Sequence, residues 1–237
     1  MALNRGVSIT WYGHSTFRIV AEDGYVLFID PWIETNPVCP GALRKVDRCD
    51  AILLTHGHSD HVADAAPLAR RTGATVVAIH ELSRLIARQG VERCVGMNKG
   101  GTVRLGLVQA TMVDARHSSS VQDGDALLYA GEAAGYVVTT RDGLRVYHAG
   151  DTNVFGDMAL IGDLYRPEVA LLPIGDHYTM SPREAARAID LLRPAHVVPM
   201  HRGTFPALSG TTADLRKLTT HVEGLTVHDL APGDTLE

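Results

Sequence analysis

The chain has 237 residues, 45% of them hydrophobic and 21% charged, which is enough length and apolar content for one larger globular domain. A formal net charge of −5 argues against a general nucleic-acid binder, which carries a basic excess, and no run approaches the ~20 apolar residues of a membrane span. Cys39, Cys49 and Cys94 form no Cys-x-x-Cys pair; that speaks against a disulfide framework and, with no secretory h-region at the start, for a reducing cytoplasm.

Short β-rich runs alternate with helical patterns throughout, the pattern of a layered α/β domain. Residues 7–12, 16–20 and 25–29 are expected to form an antiparallel meander with a turn at Asp23-Gly24. A buried strand over 51–55 delivers His56, and a helix over 62–71, a strand over 75–79 and a helix over 81–89 follow. Strands over 102–105 and 107–115 lead into His117. The second half repeats the plan: strands over 135–140 and 144–148 pair across Arg141-Asp142-Gly143, and Asp151 lies just beyond. A central strand over 169–173 precedes a helix opened by Ser181-Pro182-Arg183-Glu184, which has an N-cap serine, proline at the first helical position and glutamate three after the cap. That helix should end near Arg193-Pro194 before a strand over 196–199 delivers His201; a helix over 212–221 and a strand over 225–229 close the chain. No linker composition divides the halves, so residues 1–237 read as one domain.

Metal-ligand chemistry is concentrated in an ordered series: His56, His58, Asp60 and His61 within THGHSDH, then His117, Asp151 and His201. In an extended segment His56 and His58 share a face and can grip one ion. Asp60 and His61 fall where the pattern turns helical, so they should aim at a second point. Each pair then needs partners from later in the chain, because three imidazoles and a water are a usual catalytic zinc set. His14, in a Gly-His-Ser turn, is either a hydrogen-bonded turn residue or a group facing the site. Asp30, before Pro31, is either a turn former or an acceptor for a ligand imidazole, and the same choice applies to His148. Asp176 and His177 follow an apolar strand near the expected substrate mouth, where a loop role and a substrate contact both fit. His80, His196, His221 and His228 have no motif around them and read as structural or exposed.

The order His-x-His-x-Asp-His, a lone His, a lone Asp and a final His resembles the metallo-β-lactamase superfamily. The strings WYGHSTF, FIDPW, GMNKGG, ARHSSS, YHAGDTNVFGDM, LLPIGDHYTM and MHRGTFP are similar to its prokaryotic metal-dependent hydrolase branch, related to ascorbate-phosphate lactonase. The resemblance implies a four-layer αβ/βα sandwich with two mixed sheets flanked by helices. It also implies two divalent ions, zinc or alternatively manganese: one on His56, His58 and His117, the other on Asp60, His61 and His201, with Asp151 bridging. Arg202-Gly203 and His177 depart from the family's pattern and are expected to face substrate.

The implied reaction is attack by a metal-bridging hydroxide on a small ester, lactone or phosphoester. Asp60 would orient the nucleophile, and His14 or His177 would donate a hydrogen bond to the developing oxyanion. Two divalent cations set against Asp60, Asp151 and hydroxide leave a net charge of about +1, which attracts an anionic small molecule. A phosphodiesterase or nuclease of the same fold is the alternative, with a noncatalytic metal-binding protein behind it; a homo-oligomer is compatible with the sequence.

Overall fold

A computed structural model describes residue 3 and residues 5–237. The first sheet is built from β1 (Ser8–Gly13), β2 (Thr16–Val20), β3 (Val26–Ile29), β4 (Ala51–Leu53), β5 (Thr75–Ile79) and β6 (Cys94–Met97), with the terminal β16 (Thr235–Leu236) paired outside β1. β1, β2 and β3 are the expected antiparallel meander, and β3 to β6 run parallel. The second sheet has the order β15 (Thr226–Val227), β14 (His196–Met200), β13 (Val169–Pro173), β12 (Arg145–His148), β11 (Ala134–Thr139), β8 (Val108–Asp114) and β7 (Thr102–Leu105). It is antiparallel from β7 to β12 and parallel from β12 to β15.

Strand alternation explains the layering. On the second sheet Tyr136, Val138, Val146 and Leu171 point inward and pack with Ile9, Phe17, Phe28 and Ile52 of the first. Their neighbours Val137, Tyr147, Ala170 and Leu172 point outward onto Met158, Ile161, Ala185 and Ile189. Those four lie on α4 (Met158–Tyr165) and α5 (Pro182–Leu192), beside α6 (Thr212–Leu218). The first sheet is covered by α2 (Ala65–Thr72) and α3 (His80–Arg88). The result is the four-layer αβ/βα sandwich. No helix among the described residues is long and apolar enough to cross a membrane.

Several boundaries differ from expectation for local reasons. The helix expected over 62–71 is two pieces, α1 (Ser59–Val62) and α2, broken at Ala63-Asp64. The Asp64 carboxylate is used elsewhere, accepting the backbone N–H groups of Ile33 (2.5 Å) and Glu34 (3.1 Å). The Ser181 capping box is present. α6 stops at Leu218, where the Thr219 hydroxyl donates to the Leu215 carbonyl. Beyond the expected elements stand β6, β16, α4 and a separate hairpin of β9 (Ser120–Asp123) and β10 (Ala126–Tyr129).

Candidate metal centre

The ligand series gathers on one edge of the sandwich, at strand ends and, for Asp60 and His61, on the short helix α1 that follows β4. His14 turns between β1 and β2, Asp30 ends β3, His56 follows β4, His117 follows β8, Asp151 follows β12 and His201 follows β14. Three of these positions hold the left-handed backbone that side chains avoid: His14 (φ 54°), Asp30 (φ 48°) and His201 (φ 51°). Each such residue costs about 1–3 kcal/mol and persists only where its surroundings enforce it. Here the enforcement is visible: the His14 carbonyl accepts from His201 N (2.9 Å) and Trp11 Nε1 (3.0 Å), and the Asp30 carbonyl accepts from Thr16 Oγ1 (2.6 Å). The first of these bonds also ties the two sheets together beside the site.

Asp30, fully buried, fixes two imidazoles. Its Oδ1 accepts Thr55 N (2.8 Å), while Oδ2 accepts Thr55 Oγ1 (2.6 Å) and His61 Nδ1 (2.8 Å). Because the Thr55 hydroxyl gives its proton to Asp30, it accepts from His56 Nδ1 at 3.0 Å. Both rings are thereby set with Nδ1 protonated, and the lone pair of Nε2 is left to face the site. His61 Nε2 is buried and makes no well-aligned hydrogen bond among the described residues; Asp151 Oδ2 lies 3.3 Å from it, and a cation between them would satisfy both.

The nitrogens and carboxylate oxygens gather in two groups. Donor atoms of His56, His58 and His117 lie within 4.8 Å of one another, as do those of His14, Asp60, His61 and His201. Asp151 Oδ2 lies between the groups, 3.0 Å from His201 Nε2, 3.3 Å from His61 Nε2, 3.8 Å from His117 Nε2 and 4.0 Å from His56 Nε2. This imidazole-rich set with two carboxylates suits a borderline divalent metal. His14 is placed otherwise: its Nε2 donates to Asp60 Oδ2 (3.0 Å) and its Nδ1 accepts from Thr204 Oγ1 (2.9 Å). Both nitrogens are engaged, the side chain has no exposure, and it lies behind Asp60, outside the cleft lining.

Burial pushes the pKa values of His56, His58 and His117 down, so these rings are neutral and ready to ligate at neutral pH. His14 is pushed down to about 4 by burial, against the pull of the Asp60 hydrogen bond. Burial also disfavours charge on His61, but the Asp151 and Asp30 carboxylates outweigh it and hold the ring well above the ordinary imidazole value. Asp151 and Asp60 are likewise penalised by burial, yet remain well below the carboxylate range: His201 and His61 hold Asp151, and His14 and His61 hold Asp60. In the metal-free protein His61 thus holds a second proton, on Nε2 toward Asp151, which a cation must displace to free that lone pair.

The centre opens into a cleft of about 1060 Å³ lined by His58, Asp60, His117 and Asp151 at its floor, with Trp32, Leu127, Tyr178 and Phe205 among its walls. His177 is outside the lining; its ring packs on Tyr178, and Asp176 accepts the His177 backbone N–H. Arg202, expected to face substrate, instead bonds Asp229 and the Leu230 carbonyl and lies over the Trp11 ring, outside the cleft. His148 contacts no ligand: it is buried, bonded to Ser15 O and Gly150 N, and sets the turn before Asp151. Thr55, Thr204, Trp32 and Leu127 were not singled out by sequence reasoning; the first three sit inside or beside the motif strings, whereas nothing local marks Leu127.

Comparison with known proteins agrees with this architecture. Residues 25–202 match the family described as the β-lactamase superfamily domain. A UPF0173 metal-dependent hydrolase of Koribacter versatilis is 47% identical over 231 residues, covering 98% of each chain. One of Rubrobacter xylanophilus is 51% identical over 233 residues, covering 98% of this chain and 96% of its own. The structure of Igni18, described as a novel metallo hydrolase from Ignicoccus hospitalis, superposes with a TM-score of 0.85 at 38% identity over 97% of both chains. The chain belongs to the metallo-β-lactamase superfamily and is a metal-dependent hydrolase of that fold.

Proposed function

We propose that this hydrolase is binuclear and cleaves a small ester or lactone. One cation would be held by His56, His58 and His117 and the other by Asp60, His61 and His201, with Asp151 shared. The observation that carries the reading is the position of Asp151 Oδ2, within 3.0–4.0 Å of imidazole nitrogens from both groups. Two ions would lower the pKa of water to roughly 7 and polarise the scissile oxygen. The protein's own share is orientation. Asp60 Oδ2 is held by His14, leaving Oδ1 to accept a proton from the attacking water. Asp30 keeps His61 and, through Thr55, His56 in the ligating tautomer.

The donor set favours zinc, with manganese as the alternative. Neither lysine nor arginine occurs among the residues lining the cleft, which supports a carbonyl substrate over the phosphodiester of a nuclease, since phosphate-backbone binders rely on such cations. Elemental analysis with turnover of a lactone panel and of bis(p-nitrophenyl) phosphate tests the reading. Asp151→Asn and His61→Ala should each lower metal content and abolish turnover; full metal content with full turnover in both would overturn it.

A further inference from the structure

The cleft walls are apolar where the floor is polar. Trp32 stacks on Phe205 with ring centroids 6.0 Å apart, and Pro206 and Ala207 continue that side. A second part of the lining comes from the β9–β10 hairpin. Its register pairs Leu127 with Gln122 and Tyr129 with Ser120, and opposed residues, like residues two apart, share a face of a strand pair. Ser120, Gln122 and Leu127 line the cleft, so Tyr129 stands on that same face. Leu127 is 70% exposed, Tyr129 69%, Tyr178 59% and Phe205 38%. Isolated surface apolar side chains need no explanation, but several large ones gathered at a cleft mark a binding wall.

The hairpin is seated on the ligand loop. Gly57, between His56 and His58, donates its N–H to Ser119 Oγ (3.2 Å), and Ser119 Oγ donates to the Ala130 carbonyl (3.3 Å). A Cβ on Gly57 would stand 2.7 Å from Ala130 Cβ and 2.9 Å from the Ser120 carbonyl. This contact fixes the apolar wall at a set distance from the ligating imidazoles. With no lysine or arginine in the lining, the cleft has nothing to neutralise a second anionic group on a substrate.

From this juxtaposition we propose that the substrate is an ester or lactone carrying an alkyl chain, seated between the Trp32–Phe205 stack and Leu127 while its carbonyl meets the metal centre. This rests on the hydrolase reading above. Water adds its oxygen to the carbonyl carbon and the acyl–oxygen bond breaks; one of the water's protons ends on the departing alkoxide oxygen and the other is released to solvent, giving an alkyl carboxylate and an alcohol, which in a lactone stay joined as one hydroxy acid. Leu127 and Phe205 set chain-length specificity.

Two series on the zinc-loaded protein test this: kcat/KM for γ-lactones from γ-butyrolactone to γ-decalactone, and Kd for alkyl carboxylates from butyrate to decanoate. Each added methylene should raise kcat/KM and tighten Kd by about twofold to fourfold until the chain passes the wall. Leu127→Ser and Phe205→Ser should each flatten both slopes, whereas Leu164→Ser, an exposed leucine on α4 outside the lining, should keep them. Lactones hydrolysed with no dependence on chain length would overturn the alkyl wall and leave the hydrolase reading standing. Chain-dependent carboxylate binding without turnover of any ester or lactone would do the reverse. A dimer that dissociates on Leu127→Ser with slopes unchanged would assign the hairpin face to a second copy and overturn the proposal, as would a preference for polar phosphorylated substrates.

Discussion

Replacing Asp30 by Asn tests whether one buried carboxylate sets the tautomers of both ligand groups. The substitution keeps the side chain's shape, and Asn, like Asp, tolerates the left-handed backbone at φ 48°, so strain is not the variable. The carboxylate accepts three hydrogen bonds, from Thr55 N, Thr55 Oγ1 and His61 Nδ1. The amide has one oxygen and a donor in place of the other. With its oxygen at the Oδ2 position, the Thr55 backbone N–H faces an NH₂ group; flipped, the Thr55 hydroxyl and His61 Nδ1 both do. The first orientation keeps two of three bonds and leaves two buried donors, the Thr55 N–H and the new NH₂, facing each other without an acceptor, at a cost of about 1–3 kcal/mol each in the metal-free fold. Loss of the negative charge also weakens the hold on His61, and through Thr55 on His56. Changes behind a ligating histidine usually reduce metal affinity by about 10- to 100-fold. Zinc competition against a chromophoric chelator reads the second effect, and urea unfolding of the metal-free protein reads the first. Zinc affinity within roughly twofold of the native protein, well inside that range, would refute the chain of hydrogen bonds as the device that orients the ligands.

Gly150→Ala should destabilise by about 2–4 kcal/mol in urea unfolding, because the residue has φ +63° and its new Cβ would stand 2.6 Å from the Ala134 carbonyl. Stripping the metal with a chelator from protein held at about 100 Kd of free zinc should remove about 2.7 kcal/mol, a fall in Tm of roughly 5–11 °C for a chain of this length; an unchanged melting curve would deny that the metal binds the folded state. The metal-free protein should lose stability as pH falls from 6.5 to about 4, because His14 stays neutral in the fold while the unfolded chain takes up the proton. That group contributes about 1.4 kcal/mol per pH unit in this window, and burial drives His56 and His148 in the same direction. His61 has the opposite sign: raised by Asp151 and Asp30, it contributes stability that is complete below 6.5 and lost as pH rises through its folded pKa. A urea midpoint flat between pH 4 and 6.5 would contradict the buried neutral imidazoles.

The central strands of both sheets were legible because their inward and outward faces are both covered, so nearly continuous apolar runs such as Val169–Pro173 stand out between turn residues, whereas β6 and β16, at the two edges of the first sheet, were not: β6 is only partly buried and β16 is two residues long. What escaped lacks that signal. The β9–β10 hairpin packs only at its base, and its sequence, SVQDGDALLY, has Gly124 at the turn but no regular alternation. α4 has no side-chain cap and carries Gly162 in its interior. That glycine reflects packing, since a Cβ there would stand 2.7 Å from the Leu191 carbonyl on α5. The break between α1 and α2 depends on Asp64 reaching residues about thirty positions earlier, a contact no local pattern contains.

The site divides along the same line. Candidate donors are marked by residue type and spacing, so His56, His58, Asp60 and His61 stand out as a cluster in the sequence, and the fold brings their donor atoms near those of His117 and His201. Direction is written in backbone conformation and in contacts distant along the chain, and there spacing is silent: His14 has the ligand chemistry of its neighbours yet spends both nitrogens on Asp60 and Thr204. Arg202 directly follows His201 but is turned away from the cleft; His201 takes the left-handed conformation, and the Arg202 guanidinium bonds Asp229. The left-handed residues therefore do for this centre what no side chain does alone. They reverse the chain at the strand ends so that imidazoles from both sheets converge on Asp151, and a substitution that relaxed one of them would be expected to scatter the donor atoms before it unfolded the sheets.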